Sequence, residues 1–246
     1  MARPRDPLAR SALIAAARRE FVRSGIQKAR IEDITHASGL SKGAFYLHFE
    51  SKEALFRELV DALEAQFERI HTDRQFAYIE LMSRGMPGTG SPEPFITELR
   101  ELDVSADLRV LEILWAWRDV VDVLLRGSQG TPFETVMWTM LDREVERVES
   151  SCLVLQRAGL LRDDVQPELF GWTMVGSFLL MTRRMLTLTQ KPDFQPWVDS
   201  LHRVIGDGAI SAGLRSQRAS TARRATPLRA SRATSSLAAR SKRRRR

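Results

Sequence analysis

The stretch SGLSKGAFYLHFESKEALF, residues 38–56, gathers the side chains best placed for chemistry in this 246-residue chain. Ser41 and Lys42 stand at a helix entry, where a hydroxyl, an ammonium and the free amides of a first turn can converge on phosphate. That is recognition chemistry, not bond-making. Elsewhere the residue spacing offers no Gly-rich phosphate loop, no paired metal ligands and no nucleophile motif. His36, His71 and His202 have no metal-type spacing to Cys, Asp or Glu and read as surface or structural residues. Cys152, on an apolar stripe, reads as a core thiol. The chain therefore reads as a non-enzyme, with no cofactor and no metal implied.

The elements that position Ser41 and Lys42 follow from local patterning. With Phe45 at the origin of a helix of 3.6 residues per turn, Phe49 falls at about 40°, so both rings share one face. Gly43, Ala44, Tyr46 and Leu47 cover the opposite arc. Ser41 is placed to cap this helix by accepting from the amide of Ala44, and Gly39 supplies the left-handed turn that closes the helix before it. Leu13, Ile14, Ala17 and Phe21 form a first helix ended by Ser24-Gly25; Ile31, Ile34 and Ala37 form a second, ended by Gly39. Two short helices joined at Gly39 behind a bracing helix make a helix-turn-helix. Its outer face, Gly43, Ala44 and Leu47, is small enough for the backbone to press into a major groove. The stretch reads DNA.

Charge supports this reading and divides the chain. Residues 1–57 carry 11 bases and 6 acids, residues 58–214 carry 15 bases and 25 acids, and residues 215–246 carry 12 bases and no acid. A basic head and an Arg-rich tail flank an acidic body, and the tail, almost without large apolar residues, is expected to be disordered. The single cysteine and the charged N-terminus point to a cytoplasmic protein without a signal segment, and the DNA reading makes it nucleoid-associated. The longest apolar run, Leu169 to Met181, is too short and interrupted to span a bilayer. The expected domains are a DNA-binding head at 1–50, a helical body at 51–214 and the tail at 215–246.

In the body, helical periodicity predicts a helix from Ser51 towards Met82, a Gly/Pro/Ser loop over 83–94, and helices near 95–102, 105–127, 133–159, 166–190 and 194–213. No sustained strand alternation appears, so the fold class is all-α. Leu169 to Met181 is apolar nearly all round, which calls for cover on more than one side. A second subunit supplies that cover, with Phe178, Met181, Trp197, Leu201 and Val204 as the expected interface.

The motifs ALIAAARREFVRSG and IEDITHASGLSKGAFYLHFESKEALF, and more loosely LQRAGLLRDDVQPELFGWTMVGSFLL, resemble the tetracycline-repressor (TetR) family of bacterial transcriptional regulators. The resemblance implies an all-helical homodimer with a three-helix head, a ligand-binding body and a four-helix interface bundle. It implies phosphate or backbone contacts at Ser41, Lys42, Tyr46, His48 and Lys52, and base-facing positions at Gly43, Ala44 and Leu47. Two departures stand out. Where the family often has Thr-Thr or Ser-Thr before the second helix, this chain has Ala29-Arg30, which loses an N-cap and offers Arg30 to phosphate. Thr35 stands where Ala is common.

The resemblance further implies a ligand-released repressor bound to a pseudo-palindromic double-stranded DNA operator, with a small, largely apolar effector. Candidate pocket residues are Trp115, Trp117, Arg118, Met137, Trp138, Met140, Trp172 and Met174; Arg118 either offers a charge to an acidic ligand or, the reading preferred, pairs with Asp122. The rival reading is an architectural, nucleoid-type DNA binder driven by the basic tail.

Overall fold

In the computed structural model, residues 6–85, 93–206 and 208 are described. Every regular element among them is helical. Helix α1 (Pro7–Lys28) opens on Asp6, whose carboxylate accepts from the Leu8 amide at 2.9 Å, with Pro7 in the first turn where its missing N–H costs nothing. The helix breaks at Gly25, whose φ of 71° lies in the left-handed region. Helix α2 (Ile31–Ser38) has no side-chain cap at Arg30; Glu32 and Asp33 in its first turn complement the helix dipole instead. It closes at left-handed Gly39, with Leu40 donating back to the Thr35 carbonyl at 2.9 Å. Thr35 is buried, and its hydroxyl is satisfied by the Glu32 carbonyl.

Helix α3 (Lys42–His48) is capped by Ser41, whose Oγ accepts from Ala44 N at 3.1 Å, as the spacing predicts. Phe49 lies just past the helix end in extended backbone, yet its ring is buried 5.7 Å from that of Phe45. Helix α4 (Lys52–Ser83) repeats the device, with Ser51 accepting from Ala54 N. The body continues with α5 (Glu93–Ala116), α6 (Arg118–Arg126), α7 (Val136–Arg157), α8 (Pro167–Met185), α9 (Gln195–Leu201) and a π-helical turn at His202–Gly206. Most of the expected loop at 83–94 and the whole of the Arg-rich tail lie outside the described residues.

The sequence reading divides 95–127 in the wrong place. Helix α5 runs unbroken through residues 103–104, where no glycine or proline interrupts it, and the break falls at Trp117. Tertiary contacts converge on the break. Arg18 of α1 donates to the Ala116 carbonyl at 2.9 Å and to the Asp119 carboxylate at 2.7 Å, and its guanidinium lies 5.0 Å from the Trp117 ring centre. Carbonyls freed at a helix end need such partners.

One apolar core runs from head to body. Phe21 packs edge-on to Phe56 at 5.3 Å and Phe56 to Phe133 at 4.9 Å, while Leu63, Leu111, Val121, Met185 and Val198 extend the same cluster. A smaller cluster, Leu81, Phe95, Leu99 and Leu160, closes the far end of the body. Gly25 and Gly127 bring head and body into backbone contact, and Ile26 donates to the Gly127 carbonyl at 2.9 Å. Helices α7 and α8 approach closely where Gly171 lies under Val145.

Candidate nucleic-acid interface and body cavity

The outer face of α3 is laid out by its two ends: the Ser41 cap fixes the first turn, and the buried rings of Phe45 and Phe49 fix its rotation. Gly43 is exposed and meets no neighbouring element, Ala44 is half-buried, and Leu47 is 47% exposed. Tyr46 is 56% exposed, its ring edge-on to Phe45 at 5.5 Å. His48 is half-buried, and its Nδ1 has no partner among the described residues. Lys42 is paired with Glu32 of α2, which holds that carboxyl below its usual range and the ammonium above its own. Arg30 is exposed.

Lys52 is placed differently from the rest. Its Nζ donates to the carbonyls of Gln27 and Ala29, both at 2.8 Å, so it caps the end of α1. A lysine ammonium has three donors, and two are committed inside the protein.

Among the described residues, two apolar cavities of about 140 Å³ each share Arg74, Asp107, Val148 and Met174 along their walls, and a wider one of about 610 Å³ opens beside them between α4 and α7. In the first, Tyr78 donates its hydroxyl to the Asp103 carboxylate, and His202 Nε2 lies 2.9 Å from Asp107 Oδ2. Arg74 lies 3.8 Å from Asp107. Burial raises Asp103 to about 6 against the lowering by the Tyr78 hydrogen bond, Arg74 and His202, and neighbouring Asp107 adds to the rise. Burial likewise lifts the Tyr78 phenol well above its ordinary value, with Asp103 beside it. The second cavity is walled by Phe67, Leu114, Met137, Met140 and Phe178, with Glu144 raised by burial at its edge.

Of the expected pocket residues, Met137, Met140 and Met174 line these cavities. Trp138 and Trp172 are more than half exposed. Trp115, Trp117 and Arg118 belong to the α5–α6 corner. There the expected Arg118–Asp122 pair is replaced: Asp122 binds Arg126 at 2.6 Å, while Arg118 stacks 4.0 Å from the Trp115 ring centre and donates to its carbonyl. The break at Trp117 turns Arg118 back over the end of α5 and away from the next turn of α6. Among the expected interface residues, Phe178, Met181 and Trp197 pack against the chain's own core and Leu201 is buried, whereas Val204 is 78% exposed.

Sequence reasoning missed Arg74, Tyr78, Asp103 and Asp107. A signal was there. Ile96, Leu99, Asp103, Asp107, Val110 and Leu114 follow one helical stripe, and a carboxylate inside an apolar stripe marks a polar site facing inward.

Residues 13–59 match the profile of the bacterial regulatory proteins, tetR family. Over 61 residues the chain is 33% identical to the HTH-type transcriptional regulator TtgR of Pseudomonas putida, covering 25% of this chain and 29% of that protein. The chain thus spans about a third of the length of the curated relatives it matches. NalD, the secondary repressor of the MexAB-OprM multidrug efflux pump in Pseudomonas aeruginosa, superposes with a TM-score of 0.57 at 18% identity, over 83% of this chain and 98% of NalD. The SmeT–triclosan complex does so with a TM-score of 0.53 at 19% identity, over 84% and 93%. At these identities the structural likeness is one of fold. No helix among the described residues is long and apolar enough to cross a membrane.

Proposed function

We propose that this chain, whose head matches the tetR family of bacterial regulators over residues 13–59, is a cytoplasmic, sequence-specific DNA-binding repressor that works as a homodimer and lets go of its operator when a small apolar ligand enters the body. The observation that carries the reading is the face of α3. A capped, rigidly anchored helix presents Gly43, Ala44 and Leu47 between the polar groups of Ser41, Lys42, Tyr46 and Arg30. Small residues at the centre let the helix enter a major groove, and polar groups at its edges reach the phosphates on either side. Lys42 exchanges Glu32 for phosphate on binding, so its contact is weaker than a free ammonium would give. Lys52 contributes at most its remaining N–H.

Two copies are needed because one recognition helix reads only a half-site. Leu169, Trp172 and Leu180 lie exposed on one face of α8, with Val204 of the π-helical turn also exposed. They supply the apolar surface for the partner, and interfaces of this obligate kind commonly bury about 2,000 Å² or more. Release works through the α5–α6 corner: a ligand in the cavities shifts α5, and the Arg18–Asp119 pair and the Gly25–Gly127 contact pass that shift to α1. The ligand favours a body shape in which the two recognition helices no longer match the half-site spacing, and by linkage the operator-bound dimer binds ligand more weakly. The solved triclosan complex of SmeT shows a protein of similar fold carrying a small apolar molecule.

The test is selection of duplexes from a random pool by the full chain, followed by footprinting. A preferred palindrome protected on two successive major grooves supports the proposal. Equal retention of all duplexes, with affinity collapsing at moderate salt, would return the protein to the tail-driven architectural reading.

A further inference from the structure

We infer that the body's effector is an apolar molecule carrying one protonated amine, and that Asp103 is the residue that receives the amine. The inference deepens the proposed function and rests on its reading of the body as a ligand-binding domain.

Two carboxylates, Asp103 and Asp107, stand on the first cavity's wall. Asp107 is well served: His202 lies 2.9 Å away and Arg74 3.8 Å away. Asp103, one helical turn earlier on α5, has a single hydrogen-bond partner, the Tyr78 hydroxyl, and no ion-pair partner among the described residues. The charged and titratable groups that face it are Arg74 and Tyr78 from α4, Asp107 from its own helix and His202 from the π-helical turn. From α7 and α8 the cavity receives only Val148, Ser151, Cys152, Leu155, Phe170 and Met174. Arg100 also reaches the wall but is already partnered.

Among the described residues, Asp103 thus stands beside an apolar cavity with no cation in ion-pair contact, sharing only the more distant pull of Arg74 and His202 with Asp107. A carboxylate half-buried in an apolar wall with one hydrogen bond is under-served, and a ligand ammonium would satisfy the oxygen that Tyr78 leaves open. An anionic ligand would face Asp103 and Asp107 while competing with Asp107 for Arg74 and His202. A neutral ligand could take a hydrogen bond but would leave the charge in place. The apolar wall then takes the hydrocarbon part.

The experiment uses the full chain and three probes with the same alkyl chain: n-octylamine, n-octanol and n-octanoate. Each is titrated calorimetrically without DNA, against the wild type and Asp103→Asn. The amine is expected to bind about tenfold or more tighter than the alcohol, the usual scale of a hydrogen bond to a charged group. Asp103→Asn, which keeps the shape and the Tyr78 contact, should erase that advantage and leave the alcohol's affinity as it was. The idea is overturned if octanoate binds as well as the amine, if none of the three binds the wild type, or if the preference survives Asp103→Asn. The wild-type ranking decides the matter even if the variant proves unstable. Operator release is scored separately. An amine that binds through Asp103 yet leaves the operator occupied upholds the site and removes ligand-controlled release.

Discussion

In the proposed complex Lys42 would serve both the protein and its DNA partner. Its ion pair with Glu32 ties the start of α3 to the first turn of α2, and the same ammonium faces the phosphates in the proposed complex. Lys42→Ala should therefore weaken operator and random duplex together and reduce the slope of log affinity against log salt by about one. Leu47→Ala is expected to act otherwise, costing about 1–3 kcal/mol at one base pair and leaving other positions unchanged. Competition binding on a panel of single-base operator variants separates the two. Asp103 gives a stability prediction of its own. Its pKa is raised to about 6 in the fold against an ordinary 3.8, so the native state holds this proton more tightly than the unfolded chain does. Its contribution to stability therefore falls as pH rises from about 4 to 6, and the penalty is complete above that window. Asp103→Asn should melt above the wild type at pH 7.5, with the gap closing as pH falls through 6. A gap that does not vary with pH would mean that the carboxyl is not strained by its surroundings.

The head–body junction is decided by elements. Helix α1 reaches the body through Arg18 and through Gly25, where a side chain would have to take a left-handed φ and where a Cβ would lie 3.1 Å from the Gly127 carbonyl oxygen. Gly25→Ala is expected to cost about 1–2 kcal/mol from the backbone conformation alone, more if α6 cannot retreat. Thermal unfolding of the variant measures this loss. Operator affinity should fall further than stability explains, because the variant also changes the angle at which α1 carries α2 and α3.

For the whole molecule, the face bearing Leu169, Trp172 and Leu180 is the place to test assembly. Leu180 is 65% exposed, so a charge there disturbs little within the subunit. Leu180→Glu should sediment as a folded monomer at micromolar concentration and lose operator binding. A charge at Phe178 is a poorer probe, since that ring packs on the subunit's own core and lines the second cavity. If Leu180→Glu remains a dimer, the partner sits on another face.

The sequence by itself determined the head. Ser41, Ser51, Gly25 and Gly39 act within their own turns, so caps and breaks were legible from adjacent residues, as was the aromatic anchoring of α3. It also determined that the body is helical and that α8 carries more apolar surface than one side can use. What only the tertiary structure decided are contacts between residues far apart in the chain. The corner at Trp117 is held by Arg18, about a hundred residues earlier. Arg118 abandons Asp122 because that break turns it over Trp115. Which face of α8 stays open follows from how α7 closes on Gly171. The cavity's polar wall joins α4, α5 and the π-helical turn, and no local pattern encodes that meeting. Periodicity says that a face is buried; only packing says against what.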